Sequence, residues 1–248
     1  MNPNVRLLPF ARADGPVNMA ADEALARSAV ELGTASLRFY GWQAATVSLG
    51  YFQAASIRLG NPRLGALPFV RRPSGGATLI HHHELTYALA LPPGVPWHSA
   101  EPWLRRMHRI IASALGDLGL AGKIVAADAA AGLPASSEPL CFLQHTPGDL
   151  LAHSQKVVGS AQRKYRGALL QHGSILLRAS PFAPELAGLY EMTGVDLAPA
   201  ELERAIVAAL QADTGWRLKP DEWTESERRE IDELARQRYA SAAWNERR

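Results

Sequence analysis

The chain is organised around the segment from Cys141 to Leu177, which reads CFLQHTPGDLLAHSQKVVGSAQRKYRGALLQHGSILL. Within it, Lys156–Gln162 and Ala168–Leu177 are largely apolar runs of strand length, and both predict strands. The polar, basic segment Arg163–Gly167 between them ends in glycine, which predicts a hairpin with one of the longer loops. The same stretch contains the only cysteine of the chain, Cys141.

Lys156 begins the first of these strands and has two interpretations. It is either an edge-strand lysine that points to water, or a positive charge at the floor of a cleft that faces an anion or a carbonyl oxygen. Gly159 and Gly173 favour the cleft, because glycine inside a strand often marks the close approach of a ligand or another backbone. Backbone amides at Gly75–Gly76 or Ser160–Ala161 are candidate oxyanion donors for such a cleft.

Cys141 also has two interpretations. A free cysteine is most often a small buried hydrophobe, and its neighbours Leu140 and Phe142 agree with that. The preceding segment is loop-like, however, and His145 and Lys156 are candidate neighbours of the thiol. Because a nearby ammonium favours the thiolate, Cys141 is a candidate nucleophile that attacks an activated acyl group and forms an acyl-enzyme.

A turn motif upstream combines arginines with small residues, and Arg71–Gly76 reads RRPSGG. Such a turn places backbone N–H groups beside guanidinium groups, a combination that suits an anion or a polarised carbonyl. His81 lies nearest this turn and is expected to face the cleft, whereas His82 and His83 are interpreted as loop residues. A metal site is not favoured, because adjacent histidines alternate faces in a strand and no cysteine or carboxylate pair supports them.

The remaining patterns predict helices and strands in alternation. Asn18 as N-cap predicts a helix over Met19–Leu32, and the 3–4 spacing of apolar residues predicts another over Ser99–Leu118. The other predicted elements are strands at Ser36–Tyr40, Ala45–Phe52, Pro68–Val70 and Glu84–Leu91, a break at Gly41–Trp42, a loop at Ala126–Ser137, helices at Pro181–Tyr190 and Ala200–Ala212, and a last helix that opens with a Thr224–Glu227 capping box and ends near Ala242.

This order predicts an α+β fold built on a mixed β-sheet flanked by helices. We expect a catalytic core over residues 1–180 and a helical C-terminal extension over residues 181–248, packed on the same domain. The segment Leu37–Tyr40 alternates incompletely, so one face of that strand is expected to be partly wet.

Composition narrows the class of protein. The 248 residues carry a formal net charge of +2, which is too weak to argue for nucleic acid. No apolar stretch approaches the roughly 20 residues of a membrane span, and the N-terminus has no signal-peptide pattern. A single cysteine excludes an internal disulfide and fits a reducing cytoplasm. A monomer is the default expectation.

Together these motifs resemble the lipoate–biotin protein ligase superfamily and, within it, the cysteine-dependent octanoyltransferases of the LipM type. The resemblance covers about residues 18–177. The matching segments are Asn18–Leu25, Arg38–Trp42, Ser48–Gln53, Arg71–Gly76 with His81, Glu84–Tyr87, Lys156–Gln162 and Leu170–Leu176. The resemblance implies a sheet like that of biotin and class II aminoacyl-tRNA synthetases, and an enzyme that needs no cofactor.

The resemblance also implies site residues and partners. Cys141 and Lys156 are the expected catalytic residues, and the expected substrate-binding residues are Arg72, Ser74, Gly75, Gly76, Ala77, His81, Gly159, Ser160, Ala161, His172 and Gly173. The implied donor is octanoyl-acyl carrier protein, and the implied acceptor is a lysine of an apo lipoyl domain or of the glycine cleavage H protein. An acyl slot is expected along Val70, Leu79, Val157 and Leu170, and a basic rim for acidic partners at Arg71, Arg72, Arg163, Lys164 and Arg166.

Rival activities share the same motifs. An ATP-dependent lipoate ligase using ATP and Mg²⁺ would employ the same turn and lysine, but such ligases usually carry a third glycine where this chain has Ala77, and commonly need an accessory domain. A lipoyl amidotransferase would also use the cysteine. A non-catalytic homologue that binds lipoyl domains is the alternative from another class.

Overall fold

A large mixed β-sheet organises the chain. The computed structural model describes residues 3–94, 97–127, 140–143 and 145–247. Its strands are β1 (Asn4–Ala13), β2 (Ser36–Trp42), β3 (Thr46–Leu49), β4 (Phe69–Arg71), β5 (Leu79–His81), β6 (Glu84–Leu91), β7 (Ile124–Ala126), β8 (Leu150–Ala152), β9 (Gln155–Tyr165), β10 (Ala168–Leu176) and β11 (Arg217–Pro220).

Helices cover both faces of this sheet. The α-helices are α1 (Gly15–Glu31), α2 (Pro62–Gly65), α3 (Trp103–Leu115), α4 (Leu189–Thr193), α5 (Pro199–Thr214), α6 (Glu225–Leu234) and α7 (Ala242–Asn245). Short 3₁₀ turns occur at Ala55–Arg58 and Cys141–Leu143, and wider turns at Gly116–Leu120 and Ala235–Tyr239 follow α3 and α6. None of the described helices is both long enough and apolar enough to cross a membrane.

The main sheet has eight strands in the order β11-β1-β2-β6-β10-β9-β8-β7. β1 runs parallel to both β11 and β2, and the other neighbours are antiparallel. A separate three-stranded sheet has the order β4-β3-β5. The predicted α+β class with a mixed sheet flanked by helices is therefore confirmed.

Successive side chains of the central strands point to opposite faces of the sheet, and each face packs in its own apolar layer. Leu37 and Phe39 of β2 pack into the layer that contains α3 and α5, whereas Tyr40 faces the layer that contains α1 and α6. Every residue of β2 is buried, Gly41 and Trp42 included. The predicted break at Gly41–Trp42 and the partly wet face were wrong, because helices cover this strand on both sides.

The first helix begins earlier than predicted. Asp14 is its N-cap and accepts a hydrogen bond from the Val17 amide. Asn18 is buried inside the helix, where its Nδ2 donates to the carbonyls of Ala13 and Gly41. Asn18 thus joins α1 to the end of β2 and does not cap the helix.

The hairpin of β9 and β10 is tighter than predicted. The strands pair as far as Tyr165 and Ala168, so only Arg166 and Gly167 form the turn. Their φ angles are 45° and 91°, the sign required by a two-residue type I′ turn. The longer loop was wrong because Arg163 and Lys164 remain in the strand.

The C-terminal extension is not only helical. The Thr224–Glu227 capping box and the helix ending at Gly215 are confirmed. Between these helices, however, β11 joins the edge of the main sheet beside β1. The helix predicted over Pro181–Tyr190 was wrong, because helical structure begins only at Leu189. Most of the predicted loop at 126–137 lies outside the described residues.

Candidate active site

A cavity opens where α1, β9 and β10 meet the RRPSGG turn. Its lining includes nine predicted site residues: Arg72, Gly76, His81, Cys141, Gly159, Ser160, Ala161, His172 and Gly173. The remaining lining residues are Met19, Tyr40, Leu79, Thr86, Phe142 and Ser174. The predicted Ser74, Gly75, Ala77 and Lys156 are not among the lining residues.

One row of paired residues crosses the sheet beneath the cavity. Tyr40 pairs with Thr86, Thr86 with Ser174, and Ser174 with Gly159. Paired residues project from the same face of a sheet, and neighbouring strands lie about 4.8 Å apart. The row therefore forms a floor roughly 14 Å long across four strands, with Gly159 at the end near Cys141.

Cys141 and Lys156 lie side by side at this end. The Nζ of Lys156 donates to Sγ of Cys141 at 3.6 Å, and lies 2.8 Å from Oδ2 of Asp149. It also lies 5.1 Å from the ring centroid of Phe142. Lys156 is only 6% exposed, so the interpretation as an edge lysine pointing to water was wrong.

A β-bulge directs Lys156 towards the cavity. Leu150 pairs with Val158 and Leu151 with Lys156, which leaves Val157 as an extra residue in β9. Val157 and Val158 both pack in the apolar layer beside α3, so Lys156 projects from the opposite face. Bulges commonly redirect side chains next to active sites. The glycine at 159 provides space, because a Cβ there would overlap Cε of Lys156.

Cys141 is held by its backbone and its neighbours. Its amide donates to the Thr78 carbonyl at 2.7 Å, and Leu140 is buried in the apolar cluster of the small sheet. Cys141 itself is half-buried and borders the cavity. The thiol therefore lies at the cavity wall, and the flanking residues Leu140 and Phe142 do the packing.

The two arginines of the turn donate hydrogen bonds to several backbone carbonyls. Arg72 donates to the carbonyls of Ser48, Gly75 and Ala77, and its burial lowers its pKa to about 10. Arg71 is fully buried and donates to the carbonyls of Gly50, Tyr51, Gln53, Trp244, Asn245 and Arg247. The prediction that they belong to a basic rim was wrong, because both guanidinium groups are buried and bind the backbone carbonyls of the turn and its neighbours. Arg163, Lys164 and Arg166 are exposed, as a rim requires.

His172 joins the turn to α1. Its Nδ1 lies 2.8 Å from Oδ2 of Asp22, and its Nε2 lies 2.5 Å from Oγ of Ser74. Burial opposes ionisation of Asp22, but the charge of Arg38 and the hydrogen bond from His172 outweigh it and lower the pKa of the carboxyl. Nδ1 therefore donates to a carboxylate, and Nε2 shares a hydrogen bond with the Ser74 hydroxyl.

Glu84 makes the cavity floor apolar. Its Oε1 accepts hydrogen bonds from His81, Thr86 and Ser174, at 2.7, 2.6 and 2.9 Å. Burial opposes ionisation, but the charge and hydrogen bond of His81 outweigh it and lower the pKa of Glu84. The hydroxyl hydrogens of Thr86 and Ser174 thus point to Glu84, which leaves their apolar atoms to face the cavity.

The residues expected along an acyl slot divide between the cavity lining and the core. Leu79 borders the cavity, whereas Val70, Val157 and Leu170 are buried in the two apolar layers. The extra residue at the bulge moves Val157 to the opposite face of the sheet. His145 is not among the described lining residues. Within the described ranges, no cluster of three His, Cys, Asp or Glu side chains is arranged to hold a metal ion.

Several polar residues around the cavity were not among the predicted site residues. Asp149 was the most important, and its only signal is its place before the short β8–β9 hairpin that carries Lys156. The turn of this hairpin, His153–Ser154, has positive φ angles of 44° and 69° without a glycine to announce it. Asp22, Glu84 and His108 come from three distant segments, and no local pattern brings them together.

Comparison with known proteins shows the family of this chain. A model of the lipoyl protein ligase A/B catalytic domain matches residues 14–224, and the chain belongs to that family. Octanoyltransferase LipM of Symbiobacterium thermophilum is 31% identical over 99% of this chain and 99% of its own length. The same enzyme of Kyrpidia tusciae is 32% identical over 97% of each chain. Within the family, the chain groups with the octanoyltransferases.

Solved structures show the same fold. A lipoate-protein ligase A bound with ATP superposes with a TM-score of 0.78 at 23% identity, covering 99% of both chains. A bi-partite lipoate protein ligase of Thermoplasma acidophilum gives 0.75 at 20% identity over 99% of this chain and 97% of its own. At these identities the likeness concerns the fold alone.

Proposed function

We propose that the chain is an octanoyltransferase of lipoate biosynthesis that carries the octanoyl group as a thioester on Cys141. Its relatives over nearly the full length are octanoyltransferases, and the chain is an acyltransferase of that group. The observation that supports the thioester route is the position of the Lys156 ammonium, 3.6 Å from the sulfur at the wall of an apolar cavity.

The first half-reaction loads the enzyme. The Cys141 thiolate attacks the carbonyl carbon of the octanoyl thioester, a new S–C bond forms, and the donor's C–S bond breaks. The donor leaves as a thiolate and takes up a proton. A lysine ammonium beside the sulfur favours the thiolate, and the same charge stabilises negative charge that develops on the carbonyl oxygen.

The second half-reaction delivers the group. The neutral amine of an acceptor lysine attacks the Cys141 thioester, an amide C–N bond forms and the S–C bond breaks. The amine gives up a proton to water, and the Cys141 thiolate is restored. The octanoyl chain lies on the floor from Gly159 towards Tyr40, where the hydroxyls of Thr86 and Ser174 are turned to Glu84.

We assign the donor as octanoyl-acyl carrier protein and the acceptor as a lipoyl domain or the glycine cleavage H protein. The bi-partite ligase of Thermoplasma acidophilum forms a lipoylation system with its E2 lipoyl domain, which supports a lipoyl domain as acceptor. The exposed Arg163, Lys164 and Arg166 at the end of the β9–β10 hairpin suit acidic partners. No cofactor takes part in this scheme.

Intact-protein mass spectrometry tests the proposal. Mixing the protein with octanoyl-acyl carrier protein without ATP should add one octanoyl mass that hydroxylamine removes and that Cys141→Ser lacks. Acylation of a lipoyl domain only with ATP, Mg²⁺ and free acid would instead make the chain a ligase. Exchange from one lipoyl domain to another, without use of the carrier protein, would make it an amidotransferase, and binding without product would make it a non-catalytic homologue.

A further inference from the structure

A buried histidine outside the cavity connects the two segments that carry the Lys156–Asp149 pair. His108 lies on α3, is 1% exposed, and has hydrogen-bond partners at both ring nitrogens. Its Nδ1 lies 2.6 Å from the Gly148 carbonyl, and its Nε2 lies 2.6 Å from Oγ of Ser160. Neither contact belongs to the reaction scheme above.

The partners determine which nitrogen carries the proton. A carbonyl oxygen only accepts, so Nδ1 of His108 donates to Gly148. Nε2 of the neutral ring then accepts the hydroxyl hydrogen of Ser160, and Oγ of Ser160 in turn accepts from the Tyr87 hydroxyl at 2.7 Å. Burial lowers the pKa of His108, in agreement with a neutral ring. The donor and acceptor of each hydrogen bond in this series are therefore fixed.

The hydrogen bond from His108 to Gly148 reaches the turn that carries Asp149. Oδ2 of Asp149 accepts hydrogen bonds from the amide and hydroxyl of Thr146, at 2.8 and 3.1 Å, and faces Nζ of Lys156 at 2.8 Å. The Asp149 amide closes the same turn on the Thr146 carbonyl. The carboxylate is thus rigid within its turn, and the turn is anchored to α3 by His108.

The hydrogen bond between His108 and Ser160 reaches β9, the strand that carries Lys156. Ser160 lies four residues after Lys156 on β9 and borders the cavity. One imidazole ring therefore spans from the turn of Asp149 to the strand of Lys156. A shift of either segment would alter the distance from Nζ of Lys156 to Asp149 and, through it, to Sγ of Cys141.

We propose that His108 is a positioning residue for the Cys141–Lys156 pair, acting through Gly148 and Asp149. This inference rests on the proposed function for the role of Cys141. The link to Gly148 sets where the ammonium lies beside the sulfur. The link to Ser160 holds the wall of the cavity and contributes less to the thiolate.

Three substitutions at one position separate these links. His108→Asn keeps an N–H at the place of Nδ1 for Gly148, His108→Gln keeps an acceptor at the place of Nε2 for Ser160, and His108→Phe keeps neither. The readout is the rate at which iodoacetamide alkylates Cys141 without substrates, taken at neutral pH relative to strongly alkaline pH, where every thiol is ionised. This ratio reports the fraction of Cys141 that is ionised at neutral pH. It does not depend on how easily the reagent reaches the thiol.

We expect His108→Phe and His108→Gln to lower this ratio and to slow acyl-enzyme formation by on the order of tenfold to a hundredfold, with KM for the donor unchanged. His108→Asn should retain most of the alkylation ratio and most of the rate of acyl-enzyme formation. The exposed His98→Phe is the matched control and should behave as wild type. A folded His108→Phe protein with wild-type alkylation and transfer, or equal losses in the Asn and Gln variants, would overturn the proposal.

The alkylation readout can be interpreted even if the proposed function fails. If Cys141→Ser still transfers octanoyl groups, the thioester route fails, while the alkylation ratio of the His108 variants still reports whether His108 positions the pair. Should the Phe variant unfold, the Asn and Gln variants supply the same comparison, because each keeps one of the two hydrogen bonds.

Discussion

The side chain of Lys156 occupies the space that a Cβ on Gly159 would fill. A Cβ built there would overlap Cε of Lys156 and lie 2.8 Å from its Nζ. Both residues belong to β9, three positions apart, and they share a face only because of the bulge at Val157. The glycine is therefore required by the position of the ammonium and not by the backbone, since its φ angle is not among the positive ones.

Substituting Gly159 with alanine should separate activity from stability. The atoms nearest to the added methyl group are at the flexible end of Lys156 and, at 3.6 Å, Cζ of Phe142. We expect Lys156 to move away from Cys141 and transfer to fall by on the order of a hundredfold, with the free energy of unfolding changed by less than about 1 kcal/mol. Single-turnover transfer and urea denaturation measure the two quantities.

Gly173→Ala is the contrasting variant. There the methyl group would lie 2.8 Å from the Gly159 carbonyl and overlap Oγ of Ser160, so backbone must move and stability should fall. The explanation for Gly159 would be refuted if Gly159→Ala lost stability as Gly173→Ala does, or kept full transfer.

A second prediction concerns the buried charge of Asp149. Lys156→Met keeps an unbranched side chain as far as Cε but leaves the Asp149 carboxylate, 1% exposed, without its cation. Removing one partner of a buried ion pair costs about 3–5 kcal/mol, so we expect a loss of that size together with loss of transfer. The double variant Lys156→Met with Asp149→Asn should regain much of the stability and none of the activity.

Urea denaturation of the wild type and the single and double variants completes a thermodynamic cycle. Additive effects of the two substitutions on the free energy of unfolding would show that the pair is not coupled, contrary to the 2.8 Å contact. Recovery of transfer in the double variant would remove Lys156 from the mechanism.

Particular residues show how far the structure could be predicted from the sequence. The strand Glu84–Leu91 was predicted to the residue, because its apolar run has an unambiguous length. The position of Lys156 beside Cys141 was also anticipated. The bulge that produces it was not, because one extra residue in a strand leaves no mark in an apolar pattern. Arg71 was misplaced for a related reason, since its carbonyl partners include residues more than 170 positions away.

A third prediction concerns docking of the donor. Arg163 is exposed on β9, two residues beyond Ala161 of the cavity wall. Arg163→Glu should raise KM for an acidic carrier protein severalfold and leave kcat unchanged, because rim charges act mainly on association. The effect should shrink at about 1 M salt, where the screening length is about 3 Å.

Arg217→Glu provides the control for that experiment. Arg217 is also exposed but lies on β11, at the outer edge of the sheet. If both charge reversals raise KM alike, net charge explains the effect and the hairpin has no special role. A KM for Arg163→Glu that stays unchanged at low salt would exclude docking at this end of the hairpin.

The last prediction concerns the attachment of the C-terminal extension. Glu227 of α6 accepts hydrogen bonds from Arg6 of β1 at 2.7 Å and from Ser28 of α1 at 2.8 Å. Burial opposes its ionisation, but the hydrogen bond from Arg6 and those from Thr224 and Ser28 outweigh it and lower its pKa to about 2, from 4.5 in the unfolded chain. The ionised carboxylate therefore stabilises the fold above about pH 4.5, and this contribution is lost as the pH falls towards 2.

Glu227→Gln should lower the free energy of unfolding by about 1.5–3 kcal/mol near neutral pH. Its difference from the wild type should shrink as the pH falls from 4.5 towards 2, because the wild type alone loses a charge there. Urea titrations at several pH values measure this difference, and Glu225→Gln, exposed on the same helix, should show neither effect. A difference that stays constant across the window would mean that Glu227 holds the extension by packing and not by its charge.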